Sequence, residues 1–480
     1  MWGSSPKITR MSQGESSARD VSGLRDLVVA GAPQIVADLS GLIRIPSVSW
    51  EGFDHAHLDA SAARVAELFT ATGLFGTVGV YRHGEGAPAV IARREAVGNA
   101  PTVVLYAHHD VQPPGEETQW DSPAFEPTVR DGRLYGRGSA DDKAGIAVHL
   151  AALRALATHH AGDLRLGLVV FIEGEEENGS PSFAGFLDEH RELLQGEVII
   201  VADSDNPSST TPALTVSLRG NVTATLRVRT LNHAVHSGMF GGVLPDAMMA
   251  FVALAASFYD AQGGLAISGL EGVEQSKSGE VHKVGHEAPL AQGVSEVGRG
   301  SVPQRLWRSA ALTITGMDIP SVAHASNSLL PEVSAKLSLR VPPGMSAGSA
   351  LALLKDHITR QIRFGATWEL QDVSLGEPFS LDPSGPVVGL AATALAKGFG
   401  SEAVYQGVGG SIPFISQLAE VFPQAQILVT GIEDPDTRAH SPNESLDLRV
   451  LWRAILSEAV ILSELNRREI SDLAGIRALD

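Results

Sequence analysis

The sequence predicts an α/β fold built on a mostly parallel sheet and interrupted by a smaller α+β domain. Three observations predict it. Continuous apolar runs of strand length, at 102–106, 166–172 and 198–201, alternate with helical periodicities, as in parallel sheets covered on both faces. From 215 onward the strands instead alternate apolar and polar residues, the mark of half-exposed sheet. Past about residue 379 the first pattern returns.

Residues 21–45 carry Leu24, Leu27, Val28, Ile35, Leu39 and Leu42 at helical spacing, and Pro46 closes that helix. The pattern recurs over 57–73 in Ala60, Ala63, Val65, Leu68 and Phe69. Strands at 89–92 and 102–106, a helix over 141–157, and strands at 166–172 and 197–202 complete the first α/β stretch. Next, 215–229 alternates through Val216, Leu218, Val222, Ala224, Leu226 and Val228. A helix at 245–259, strands at 311–316 and 333–341, a helix at 347–362 and a strand at 367–374 follow. Taken in order this is β-α-β-β-α-β, the ferredoxin-like signature. Within it, 262–308 is rich in Gly, Ser and Glu and too long for a structureless loop, so it is expected to pack on its domain or to contact a partner. The closing α/β elements are helices at 386–398, 413–421 and 447–465 and a strand at 426–430. The expected organisation is a flexible tail over 1–20, an α/β domain from 21–217 and 379–480, and an inserted domain over 218–378.

Composition limits the function. A chain of 480 residues, 44% hydrophobic and 19% charged, is long enough for two well-cored domains. Its net charge of -19 argues against non-specific nucleic-acid binding. With no cysteine, a metal site must use His and carboxylates. Residues 1–22 lack the apolar core of a secretory signal, and no run of ~18 uninterrupted apolar residues occurs, so a cytoplasmic protein without a membrane span is expected.

Ligands of open α/β sheets bind beyond the carboxyl ends of the strands. His108 and Asp110 follow the 102–106 strand, Glu175, Glu176 and Glu177 follow 166–172, and Asp203 follows 197–202. His440 comes after 426–430 and a loop, while Asp141 and Asp142 open a helix. Strand alternation puts His108 and Asp110 on one side and His109 on the other. Such convergence on one sheet edge points to a metal site. Imidazoles with carboxylates suit Zn²⁺, or Mn²⁺ and Co²⁺, rather than Ca²⁺. The negative charges of Asp141, Glu177 and Asp203 match two divalent ions with a bridging hydroxide, the ions about 3.5–4 Å apart.

The motifs YAHHDVQPP (106–114), GRGSADDK (136–143), EGEEENGS (173–180), LRG (218–220), HSG (236–238), GGSIP (409–413) and AHSPNE (439–444) together resemble the M20 metallopeptidases. The branch is the dipeptidases similar to carnosinase and cytosolic non-specific dipeptidase, and the motifs run in order from about residue 21 to the C-terminus. The resemblance implies that 21–217 and 379–480 form a catalytic domain holding two divalent ions per subunit, and that 218–378 is a lid and dimerisation domain. It further implies His108 and Asp203 on one ion, Glu177 and His440 on the other, and Asp141 bridging both, joined to Asp142 by a cis peptide. Asp110 would orient His108, and Glu176 would be the general base. Asn178-Gly179-Ser180 sets the register among the three Glu, and the spacing to Leu218-Arg219-Gly220 favours Asp203 over Asp205.

On the substrate side, His236 would donate to the oxyanion, in dimeric relatives at the partner's site. The Arg340 fork suits a terminal carboxylate, with Gly410 and Ser411 as further donors. Asn327 and Ser328 are further lid candidates. One departure is that Gly407 and Val408 stand where related dipeptidases often carry Arg-Glu. The expected function is zinc-dependent hydrolysis of dipeptides or short peptides by a homodimer. The alternative is a deacylase or desuccinylase of N-acyl amino acids, against which Asp141-Asp142-Lys143 and the long lid argue.

Overall fold

The strand Thr102–His108 is buried from Val103 onward, as a strand covered on both faces must be. Its neighbour Gly167–Glu173 is buried throughout. Each fully buried Val, Leu or Ile in such strands contributes about 1.5–3 kcal/mol of transfer free energy. The computed structural model describes residues 13–270, 290–410 and 413–473. These form two compact units, one comprising the chain up to Leu214, Asp382–Val404 and the chain from Val421, the other Thr215–Leu381 with Tyr405–Glu420.

In the first unit the strands run in the order Thr77–Tyr81, Ala89–Arg94, Gly167–Glu173, Thr102–His108, Val198–Val201, Gln426–Thr430. The last four pair in parallel. The first two strands pair antiparallel, so the sheet is mixed with a parallel centre. Parallel register sets His108 opposite Glu173 at the carboxyl ends of two strands. The helix Lys143–His159 is capped by Asp142, which accepts from Gly145 N at 3.2 Å. Lys143, fully buried, donates to the carbonyls of Leu42 and Ile45 at 2.9 and 2.7 Å and so ties down the end of the first helix.

That helix runs Gln13–Ile43, so its first turns fall inside the stretch expected as a tail; residues 1–12 lie outside those described. By length and composition 20–43 is apolar enough to cross a membrane, but Leu24, Val28, Ile35, Leu39 and Leu42 are buried in this unit. The pattern is that of an amphipathic core helix. A small sheet of Thr128–Arg130, Arg133–Tyr135 and Ser445–Asp447 carries no sequence signal beyond its brevity.

The second unit holds a four-stranded antiparallel sheet ordered Ala311–Asp318, Glu332–Val341, Gly220–Arg229, Thr367–Gly376. With Ala247–Ala256 and Ala347–Gln361 this is the β-α-β-β-α-β arrangement expected from periodicity. Val222, Leu226 and Val228 pack against Phe251, Leu254, Leu337, Leu339, Leu354 and Ile358. The single strand expected over 215–229 is two, Ala213–Leu218 and Gly220–Arg229, broken at Arg219. Of the 262–308 stretch, Ile267 and Leu270 enter this core, and residues 271–289 lie outside those described.

Candidate metal centre

His108 ends the central strand with its imidazole fully buried. Nδ1 lies 3.3 Å from Asp110 Oδ1 and 3.1 Å from the Asp110 carbonyl. A ring nitrogen held this way fixes which nitrogen is left for other work. That nitrogen, Nε2, is buried without a hydrogen bond of normal geometry, although Asp141 Oδ1 stands at 3.3 Å, Glu176 Oε2 at 3.9 Å and Asp203 Oδ2 at 4.0 Å. On the far side, His440 Nε2 lies 2.9 Å from Asp141 Oδ2 and 3.3 Å from Glu177 Oε2.

Two groups of potential ligands result, His108–Asp141–Asp203 and Asp141–Glu177–His440, the donor atoms within each lying no more than 4.8 Å apart. Asp141 belongs to both, turning one oxygen to each imidazole. Its peptide link to Asp142 is cis.

The carboxylates crowd without enough positive charge. Burial, then the neighbouring acids, push Glu176 and Glu177 well above the usual carboxylate range, and burial lifts Asp203 to about 6. Asp141 goes the other way: burial opposes ionisation, but the close imidazoles of His108 and His440 favour the carboxylate and hold it below the ordinary value. Two imidazoles, an orphaned buried ring nitrogen and several uncompensated carboxylates are what a divalent cation site requires.

Glu176 and Glu177 lie not on extended backbone but in the 3₁₀ turn Glu176–Asn178. With about three residues per turn, successive side chains still diverge, one toward His108 and one toward His440. Asp110 does more than orient His108. Its oxygens accept from Glu176 N at 3.2 Å, Glu177 N at 3.1 Å and Ser49 Oγ at 2.7 Å, so one buried carboxylate holds both the His and the Glu turn. Gln112, within the first motif but assigned no role from sequence, grips Glu177 through its backbone N at 3.0 Å and its Nε2 at 2.7 Å. His109, on the opposite face, hydrogen-bonds the Pro88 carbonyl at 2.7 Å, and burial depresses its pKa to about 4. It is a core histidine.

The family model for peptidase family M20/M25/M40 matches residues 104–463. The chain belongs to this family. It is 35% identical over 387 residues to a cysteinylglycine-S-conjugate dipeptidase of Corynebacterium striatum, covering 79% of this chain and 84% of that protein. A rat beta-Ala-His dipeptidase is 27% identical over 380 residues, covering 75% and 76% of the two chains. The solved structure of the dipeptidase Dug1p from Saccharomyces cerevisiae superposes with a TM-score of 0.76 at 21% identity, covering 93% and 99%, and confirms the M20 fold.

The remaining expected site residues belong to the second unit. Pairing of Val235–His236 with Ser328–Leu329 sets His236 opposite Ser328, and Ser237 N donates to the Asn327 carbonyl at 2.9 Å, so these three residues are brought together. The His236 ring is exposed, and Nδ1 accepts from Gly238 N at 3.0 Å. Arg340 is half-buried, and burial lowers its pKa. Burial, then repulsion from Arg340, brings Arg219 down to about 10. Among the described residues, the Arg219 guanidinium donates to backbone carbonyls: Gly409 at 2.9 Å, Ser309 at 3.2 Å and Arg305 at 3.4 Å. It thereby ties the end of the 262–308 stretch to the Gly-rich turn containing Gly410. Ser411 lies outside the described residues. Gly407 has Trp307 against it: a Cβ there would meet Trp307 Cβ at 2.6 Å and Ser217 Oγ at 2.8 Å.

Proposed function

We propose that the chain is a di-metal dipeptidase, with zinc as its resident metal and Mn²⁺ or Co²⁺ able to replace it. The observation that carries this is the Asp141 carboxylate shared between two His-containing ligand groups. His108, Asp141 and Asp203 would hold one ion and Asp141, Glu177 and His440 the other. When bound, such ions acidify a water and polarise the substrate carbonyl.

Glu176 is the general base: it takes the proton of the attacking water and returns it to the leaving amine. Its carboxylate is within 3.9 Å of His108 Nε2, yet it is missing from both ligand groups, which leaves it available for proton transfer. Asp110 keeps His108 and the Glu176–Glu177 turn in place. His236 donates to the developing oxyanion. Arg340 receives the substrate's terminal carboxylate, with Gly410 and Ser411 as backbone and hydroxyl donors and Asn327 and Ser328 as further contacts.

The names of the relatives support short peptides as substrates, cysteinylglycine S-conjugates and β-Ala-His among them. We assign the second unit to lid and dimer contacts in a cytoplasmic homodimer. Met239, Val243 and Val322 are exposed apolar side chains on that unit that such an interface would cover.

The test is hydrolysis by metal-stripped protein reloaded with Zn²⁺ or Mn²⁺, assayed against Cys-Gly, a Cys-Gly S-conjugate, β-Ala-His and acetylated or succinylated amino acids. Cleavage of the dipeptides is expected. Turnover confined to the N-acyl amino acids would replace the reading with that of a deacylase. Sedimentation velocity tests the dimer.

A further inference from the structure

His440 is the ligand candidate that no strand end or helix supports. It lies in the loop after Gln426–Thr430, its side chain is 58% exposed, and its φ of +60° is in the left-handed region. A ligand must nevertheless be held within about 0.5 Å of its productive position. Something else must fix this loop.

Four residues on, Glu444 is fully buried. Its Oε1 accepts from Ala140 N at 3.0 Å and Asp141 N at 3.2 Å. Its Oε2 accepts from Arg137 Nη1 at 2.7 Å and Gly138 N at 3.1 Å. The Glu444 carbonyl accepts in turn from Gly136 N at 3.0 Å. Arg137 is itself anchored to the Pro113 carbonyl at 3.2 Å. The loop is closed behind Glu444 by Ser445 N, which donates to the Thr437 carbonyl at 2.9 Å, and by Arg133, which reaches Ser445 Oγ and O at 2.8 and 2.9 Å.

A buried ion pair alone would need only Arg137. Here three further donors are the backbone N–H groups of the turn that delivers Asp141. We propose that Glu444 is a positioning residue that locks the His440 loop to the Asp141 turn and thereby sets the spacing of the Asp141–Glu177–His440 ligand group. The inference rests on the two-ion reading above.

Its consequence is asymmetric. His108 ends a strand of the sheet, and Asp203 lies just beyond the end of another, Val198–Val201. Neither needs the Glu444 clamp; Asp141 serves both groups, but only the second also relies on the His440 loop, so the ion on His440 should suffer more. E444Q keeps the shape but replaces one acceptor oxygen with an NH₂ group, which must face either the Ala140 and Asp141 N–H groups or the Arg137 guanidinium and the Gly138 N–H, donor against donor.

The experiment is calorimetric titration of metal-stripped protein with Zn²⁺ against a competing chelator, with metal content measured by mass spectrometry. Wild type is expected to take up two ions. E444Q should hold the first within threefold of wild type and the second about 10–100-fold more weakly, the usual scale for groups behind the ligands. E444D keeps the charge but is one methylene short. It should give the same split, and it decides the matter if E444Q does not fold. E458Q removes a buried carboxylate elsewhere and should lower the melting temperature while sparing both affinities. Two ions bound within threefold of wild type in the folded variant, or equal weakening of both, would overturn the proposal. Wild-type protein taking up fewer than two ions would overturn the two-ion reading itself.

Discussion

Asp141 Oδ2 lies 2.9 Å from His440 Nε2, joining a helix-opening turn to a loop from the other end of the sequence. The same carboxylate faces His108 through its other oxygen at 3.3 Å. One residue therefore couples both halves of the centre. D141N should impair uptake of both ions, where loss of Asp203 or His440 impairs chiefly one. Metal content at limiting Zn²⁺ distinguishes these outcomes, and a D141N protein that still binds two ions normally would remove Asp141 from the bridge.

Glu176→Gln separates binding from chemistry. The amide keeps the shape of the turn, and the Glu176 N–H still reaches Asp110 at 3.2 Å. Metal content should remain at the wild-type level while kcat falls by about 10²–10⁴-fold, the range for loss of a positioned general base. Unchanged turnover would mean that another group carries the proton.

Metal removal should change how stability depends on pH. In the stripped protein, burial raises the folded-state pKa values of Glu176 and Glu177 well above the ordinary range and that of Asp203 to about 6 from 3.8. An acid with a raised folded pKa binds more protons when native, so its native state loses stability as pH rises from the unfolded value through the folded one. The stripped protein should therefore weaken steadily from about pH 4 to above pH 6. The reloaded enzyme should not, since bound cations stabilise the ionised forms. Urea midpoints of the two forms across this window make the comparison.

A second pH signature comes from His149, buried between Glu458 at 2.9 Å and the Tyr106 carbonyl at 2.9 Å. Burial pushes its pKa down, but the Glu458 carboxylate outweighs burial and raises it. A raised imidazole pKa gives stability that is complete below the unfolded value near 6.5 and is lost as pH passes the folded value. E458Q should cost about 3–5 kcal/mol at pH 6, as for a broken buried pair, and clearly less at pH 9. Equal costs at both pH values would mean that the charge on His149 does not account for the loss.

Much of the candidate centre was legible because its residues cluster where periodic patterns stop. His108 and Asp203 stand just beyond apolar runs that could only be buried strands, and the helix-opening Asp pair advertised itself by type. Glu444 and Gln112 were not legible. Each acts through hydrogen bonds with backbone or side chains distant in sequence, which leave no period and need no special residue type. Asp110 was read only for its His neighbour because the contact with the Glu176–Glu177 turn exists only once two strands lie side by side. The break at Arg219 was hidden for the opposite reason, since apolar alternation continues across it.

Gly407 and Val408, the departure from the resembled dipeptidases, now have a physical account on one side. Trp307 is buried against Gly407, and any Cβ at 407 would sit 2.6 Å from Trp307 Cβ, closer than carbon atoms approach. The space that a charged residue would take is filled by an aromatic side chain from the 262–308 stretch. G407A should therefore push Trp307 or the turn outward and disturb Gly409, whose carbonyl Arg219 holds at 2.9 Å. If this turn receives the substrate carboxylate, KM should rise about tenfold, a loss of about 1.4 kcal/mol, with kcat nearly unchanged, the pattern for a purely binding contact. Metal content should not move, because both ligand groups belong to the other unit. Trp307→Gly in the same chain removes both Trp307 atoms in the way, Cβ and Cγ, and leaves Ser217 Oγ at 2.8 Å, so the double variant should recover part of the affinity lost by G407A alone. A G407A enzyme with unaltered KM for dipeptides, or a double variant no better than the single one, would show that the turn's geometry does not depend on this contact.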